Sequence, residues 1–286
     1  MPWSLNINQS VAISVRNCST AQPRAIGAAQ VSVCADDTGR TRLKDLRQSG
    51  SLKLVFPRTH TPDCEVLVVN TAGGITGGDA FSLEVEVRSG ATLTLTTQAA
   101  ERAYRAQRGE IGHVTSTVAV ENGARLHWLP QELILFDRCA IRRRLDITLG
   151  AQAHLLMVEP VVFGRTAMPE VLRDVFFQDR IRITRGGHPI YIDGMDLAGD
   201  VTAHLARRAI ANGAGAMASV VMVAPDAASH LGPVRALLPH TAGAGMLHDD
   251  VLIIRLPGLD GFDMRQTLIP VLEHLSNHSL PTSWRL

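Results

Sequence analysis

The sequence predicts a mainly β protein in which strand-turn units stack into a β-helix-like fold, with about two short helices toward the C-terminal part. Period-two alternation of apolar and polar residues recurs through the first two thirds of the chain, as in Phe81–Val87 (F-S-L-E-V-E-V) and Ala91–Thr97 (A-T-L-T-L-T-T). Such alternation marks half-buried strands. Three segments, Val85–Leu95, Val118–Trp128 and Leu145–Leu155, also align without gaps as strand, turn, small residue and strand, with Gly90, Gly123 and Gly150 in register. Glycine supplies the positive φ that tight turns need, and repeats at this spacing point to stacked units. The same pattern would also arise from ordinary hairpins.

Taken in order, Leu52–Phe56, Glu65–Asn70, His113–Val120, Ala124–Leu129, Ile141–Leu149, His154–Val158, Val171–Phe177, Ile181–Thr184 and Val251–Leu256 extend the strand count. Helical spacing is confined to Met264–Asn277, where Leu268, Ile269, Val271, Leu272 and Leu275 recur on one face, and to the shorter Ala227–Leu238. Phe163–Glu170 has room for a turn or two of helix. Strands and helices do not alternate, which disfavours a doubly wound parallel sheet. No Ser/Gly/Pro tract or charge block divides the chain, so residues 1–286 are expected to form a single domain.

Composition narrows the function. Apolar residues make up 45% of the 286, which excludes disorder as the main state. Charged residues make up only 19%, against roughly 25% in typical soluble domains, and mean hydropathy is +0.09. A chain so short of charge is expected to hide surface against partners. The formal net charge is +1, too little to neutralise a phosphate backbone, so nucleic acid is not an expected ligand. Cys18, Cys34, Cys64 and Cys139 form no CxxC pair and read as reduced thiols. Met1–Arg16 lacks a basic start and an apolar core, and the uncharged stretch Ala209–Pro225 falls short of a membrane span. A cytoplasmic protein with no membrane partner is expected.

Motifs for chemistry are sparse. Asn70–Asp79 (N-T-A-G-G-I-T-G-G-D) is glycine-rich, but Asp79 stands where a phosphate loop needs a cation, and a strand follows rather than a helix. Gly73, Gly74, Gly77 and Gly78 read instead as a tight turn with close backbone approach, Asp79 accepting hydrogen bonds from turn amides. No G-x-S-x-G elbow is present, and Cys139 beside Arg138 has no evident base. His274 and His278 lie four apart on the predicted last helix and could share an ion, and His248-Asp249-Asp250 is a second polar cluster; either also fits a solvated face. Charged residues interrupt apolar strands in Glu101-Arg102-Ala103-Tyr104-Arg105, Gln131-Glu132, Asp137-Arg138, Arg142-Arg143-Arg144, Glu159 and Arg165. Burying such groups costs several kcal/mol unless they are paired, so they form either a paired internal network or an exposed face of alternating charge.

Several of these segments are together similar to one family. A-G-G-I-T-G-G-D-A (Ala72–Ala80), T-T-Q-A-A-E-R-A-Y-R-A (Thr96–Ala106), W-L-P-Q-E-L-I-L-F-D-R (Trp128–Arg138), V-F-G-R-T-A-M (Val162–Met168) and P-T-S-W-R-L (Pro281–Leu286) resemble, in order, the urease accessory protein D family, UreD or UreH. The resemblance spans residues 72–286; the Val69–Ala72 lead-in departs from a proline-rich form, and the first fifty residues match no motif. It implies a β-stacked, non-enzymatic nickel chaperone. Such a protein binds apo-urease subunits and recruits the accessory F protein, and through it the G GTPase. Nickel would be in transit through an internal tunnel, with no cofactor permanently bound. Asp79, Glu101, Tyr104, Arg105, Glu132, Asp137, Arg138, Glu159 and Arg165 are then expected to line that tunnel or to form its supporting network, since carboxylates are hard oxygen ligands. Two other readings remain: a cytosolic metal-dependent hydrolase using His248, Asp249, His274 or His278, and a β-rich module binding a small ligand.

Overall fold

The repeats pair side by side and in parallel, as stacked coils do, and not as hairpins. A computed structural model describes residues 22–58, 61–165, 168 and 170–285. Its opening coil runs through β1 (Ile26–Ala35), β2 (Thr41–Gly50), β3 (Leu52–Val55) and β4 (Cys64–Asn70). The next comprises β5 (Ala80–Val87), β6 (Thr92–Thr97) and the short β7 (Glu101–Ala103). It is followed by β8 (Gly112–Val120), β9 (Arg125–Leu129) and β10 (Leu133–Leu135), then by β11 (Ala140–Leu149) and β12 (His154–Phe163). After β13 (Val175–Arg185) and β14 (His188–Gly199) come α1 (Val201–Ala206), β15 (Ala216–Val223), α2 (Ala227–Leu237), β16 (Gly243–His248), β17 (Val251–Gly258) and α3 (Gly261–Leu275).

About four coils of a β-solenoid result. In the first sheet β1, β5, β8, β11 and β13 pair in parallel, flanked by antiparallel β2 and β14. In the second, β4, β6, β9 and β12 pair in parallel before antiparallel β15, β17 and β16. The short β7 and β10 stack beside β12 as a narrow third side.

Register shows what the gapless alignment captured and where it slipped. Val85 pairs with Val118 and Thr92 with Arg125, an offset of 33 residues. The next coil is shorter: Val118 pairs with Ile147 and Arg125 with His154, an offset of 29. Leu145 and Gly150 therefore do not stack on Val118 and Gly123. The alanines that follow each turn and stack in the core are Ala91, Ala124 and Ala153, not Ala151. Gly90 and Gly123 have positive φ (75° and 71°), whereas Gly150 does not. Gly150 is required for a different reason: a Cβ there would sit 2.5 Å from the Asn122 backbone nitrogen of the coil beneath.

Parallel stacking turns each inward position into a column, Leu93–Leu126–Leu155 and Leu95–Trp128–Met157 among them, all buried. These columns fill the space between the two sheets. A second core lies between the outer face of the second sheet and helices α2 and α3. β12 and β15 are thus covered on both faces and are apolar nearly throughout, so the sequence shows β12 only over His154–Val158 and does not show β15. That is why β15 falls within the uncharged stretch Ala209–Pro225.

The helices depart from expectation in detail. α3 starts at Gly261, because the Asp260 side chain caps the Asp263 amide at 2.8 Å. It ends at Leu275, before Asn277 and His278 take positive φ (51° and 59°), rather than running to Asn277. A third helix, the six-residue α1, joins the two expected. Phe163 closes β12 instead of opening a helical turn. Thr166, Ala167 and Pro169 lie outside the described residues, as do Met1–Arg16 and Cys18. Among the described residues no helix is long and apolar enough to cross a membrane.

Two predictions follow from this packing. Asparagine tolerates positive φ, so Gly123→Asn should cost no more than about 1 kcal/mol. Gly150→Asn should cost clearly more, because it must push two coils apart; urea unfolding of both variants compares them. His127, on β9, is buried, its Nδ1 is unpartnered, and burial pulls its pKa down to about 4. Between pH 6.5 and 4 the unfolded chain takes up a proton that the folded chain refuses. Stability should therefore be complete above pH 6.5 and fall by about 3 kcal/mol on going to pH 4. His127→Leu should flatten that part of a melting-temperature profile.

Candidate functional site

The nine residues expected to line a tunnel or support it, with the partners the fold gives them, sort into three places. The first is the interior of the solenoid. Alternation along β11 points Ile141, Arg143 and Leu145 inward, and along β13 it points Phe177, Asp179 and Ile181 inward. Arg143 and Asp179 are register partners. From the opposite sheet, Glu159 of β12 takes the inward position after Met157. Arg143 Nη2 and Nε donate to the two Asp179 oxygens at 2.5 and 3.0 Å, and Nη1 lies 2.7 Å from Glu159 Oε2. Trp128 Nε1 donates to Glu159 Oε1 at 2.7 Å.

One guanidinium thus serves two carboxylates in a buried site. Burial opposes its charge, but Asp179 and Glu159 outweigh that and hold its pKa above the ordinary arginine value. Burial pushes the Glu159 pKa up, against the pull of Arg143. The three charges sit between two voids. A cavity of about 130 Å³, mostly apolar, has Glu101, Gln131, Arg143 and Glu159 among its polar lining. A smaller void of about 20 Å³ lies between Glu159, Asp179, Asp193 and Arg255, the last two paired at 2.8 Å. Glu101 is held by Asn70 Nδ2 at 3.1 Å, and burial raises its pKa.

The second place is a joint with the C-terminus. Glu132 is buried but lies outside that cavity, accepting from Arg265 Nη1 of α3 at 2.8 Å. Arg265 Nη2 donates to the Trp284 carbonyl at 2.7 Å, and its guanidinium lies 5.1 Å from the centre of the Trp284 ring. The buried Trp284 donates in turn to the Leu129 carbonyl at 2.9 Å. The W-L-P-Q-E and P-T-S-W segments, about 150 residues apart in sequence, therefore close on each other.

The remaining residues gather at one end of the coils. Asp79 Oδ1 accepts from the Ala25 amide and Oδ2 from the Thr76 amide, both at 2.8 Å, closing the glycine turn. Gly74, at φ 155°, lets the Tyr104 ring lie against the backbone. Gly73 and Gly78 have φ 79° and 84°, and Gly77 packs against Ala106 and Glu110. The Arg105 carbonyl accepts from Thr76 Oγ1. Tyr104 meets Phe136 edge-on, and the Arg165 guanidinium lies 4.8 Å from the Phe136 ring centre while pairing with Glu170. Asp137 accepts from the Arg173 and Asp174 amides and lies 3.6 Å from Arg138.

Of the nine assigned residues, only Glu101 and Glu159 reach the interior cavity. Arg143, one of the strand-interrupting charges in the sequence, is not among the nine, and Asp179 and Arg265 carry no sequence motif, yet I-x-R-x-L and F-x-D-x-I show Arg143 and Asp179 at inward strand positions. His274 and His278 do not share a helix face, because α3 ends between them; His278 pairs with Glu273 at 3.2 Å. Asp250 pairs with Arg185 at 2.5 Å. Among the described residues no three His, Cys, Asp or Glu side chains converge as metal ligands. Burial pushes the Cys139 thiol up to about 12, far from thiolate chemistry at neutral pH.

Arg143→Met should strand two carboxylates in the interior and destabilise the fold by about 3–5 kcal/mol. Arg143→Met combined with Asp179→Asn and Glu159→Gln should recover much of that loss in thermal unfolding.

Comparison with known proteins places the chain in a family. Residues 26–285 match the family described as UreD urease accessory protein. The chain is 49% identical over 265 residues to the urease accessory protein UreD of Roseobacter denitrificans, covering 93% of this chain and 96% of that one. It is 49% identical to that of Ruegeria pomeroyi (85% and 95% covered) and 40% identical to that of Rhizobium leguminosarum bv. viciae (94% and 98% covered). The chain belongs to the UreD urease accessory protein family.

Proposed function

We propose that this chain is a non-enzymatic, cytoplasmic scaffold for assembly of the urease nickel centre. It binds apo-urease subunits and recruits the accessory F protein, and through F the G GTPase. Nickel is cargo that passes through the interior and is not retained. The observation that carries this reading is Glu159: a buried carboxylate between two voids inside a UreD-family solenoid. Carboxylate oxygens are suited to a hydrated divalent ion held briefly, and Glu101 supplies a second one along the same cavity. The exposed apolar side chains of Leu259 (78%), Phe262 (72%) and Met168 (59%) support a chain that works against partners. The hydrolase alternative loses its support, since His248, Asp249, His274 and His278 form no common ligand set among the described residues.

The test is co-expression of the tagged chain with its urease subunits and the F and G proteins. Apo-urease and F should co-elute with it, and the chain expressed alone should be poorly soluble. Glu159→Gln and Glu101→Gln should leave co-elution intact while slowing nickel loading of urease. Elution of a soluble, partner-free chain carrying stoichiometric metal would overturn the scaffold reading; normal loading by both variants would overturn the internal route.

A further inference from the structure

Outside the second sheet, α2 and α3 bring two imidazoles together away from both voids. His230 Nδ1 of α2 lies 3.1 Å from His274 Nε2 in the last turn of α3, with the ring planes 71° apart. Two imidazole nitrogens bound to adjacent positions of one ion, at bonds of 2.0–2.1 Å, lie about 2.8–3.4 Å from each other. The observed separation falls in that interval. The other nitrogen of His230, Nε2, faces Asp226 Oδ2 at 3.6 Å. At that distance the carboxylate acts on the ring through its charge and not through a hydrogen bond. Both rings are only half-buried, so water can complete the coordination.

We propose that His230 and His274 form an open two-histidine site for a divalent ion of the borderline class that favours imidazole, such as nickel or zinc, and that the bound ion clamps α2 to α3. Without the ion the two nitrogens share one proton in a hydrogen bond. The site stands apart from the internal route and does not depend on it.

The test uses the full chain fused to a solubilising carrier that binds no nickel, with nickel chloride as probe in equilibrium dialysis and thermal unfolding. The wild-type chain should bind one more nickel ion than a variant carrying His230→Gln and His274→Gln, and excess nickel should raise only the wild-type melting temperature. His278→Gln should leave binding unchanged. Where the double variant fails to fold, His274→Gln alone carries the test, because its amide can still hydrogen-bond His230. Equal nickel binding and equal melting shifts in wild type and variant would reduce the contact to a hydrogen bond and overturn the proposal. Glu159→Gln should bind nickel at this site as the wild type does, which keeps failure of the internal route distinct from failure here.

Discussion

The in-register parallel pairing of successive coils is the constraint on which the rest of this structure depends. Each strand of one coil donates and accepts along its whole length with the coil beneath, so a side chain's place is set by its partner one coil away. Inward positions become columns, and any change in coil length has to be absorbed at the turns. The drop from 33 to 29 residues between successive coils is absorbed mainly in the connection from β10 to β11: Leu135 to Ile141 is 6 residues, where the stacked Ala103 to Gly112 is 9.

The same pairing explains how a charged cluster survives inside an apolar stack. Arg143 and Asp179 face each other because β11 and β13 are register partners, and Glu159 reaches them from the opposing sheet. None of the three would be tolerable alone at that depth, since a lone buried charge loses its hydration without compensation. Together with the Trp128 indole they form a paired polar group in an otherwise hydrophobic lumen. Such a group divides the interior into two voids and places a carboxylate at their boundary. An apolar cluster of similar volume would fill the space and leave no oxygen facing it.

A second element closes the stack from outside. The Glu132–Arg265–Trp284 joint ties the C-terminal segment to the strand end at Leu129. Helices α2 and α3 cover the outer face of the second sheet, so β12 and β15 become core on both sides. Phe262 stands exposed at the start of α3, in a chain already short of charged residues.

Much of this was legible in the sequence because strand alternation is local. A residue two places along a strand points the same way whatever the rest of the chain does, so F-S-L-E-V-E-V and A-T-L-T-L-T-T disclose their buried faces without a structure. The ordered motifs from Ala72 to Trp284 likewise disclosed the family. Alternation also held the inward placement of Arg143 and Asp179, although it could not say that they meet. That contact depends on a pairing 36 residues apart and on a coil length that no local pattern encodes, and the gapless alignment misjudged that length at Gly150. Strands β12 and β15 were partly or wholly hidden because burial on both faces erases the period of two. The facing of His230 and His274 was decided only by the docking of α2 beside α3, and the loss of His278 from that face by two positive-φ residues at the helix end. Local chemistry determines which way a side chain points; only the assembled sheets and helices determine what it points at.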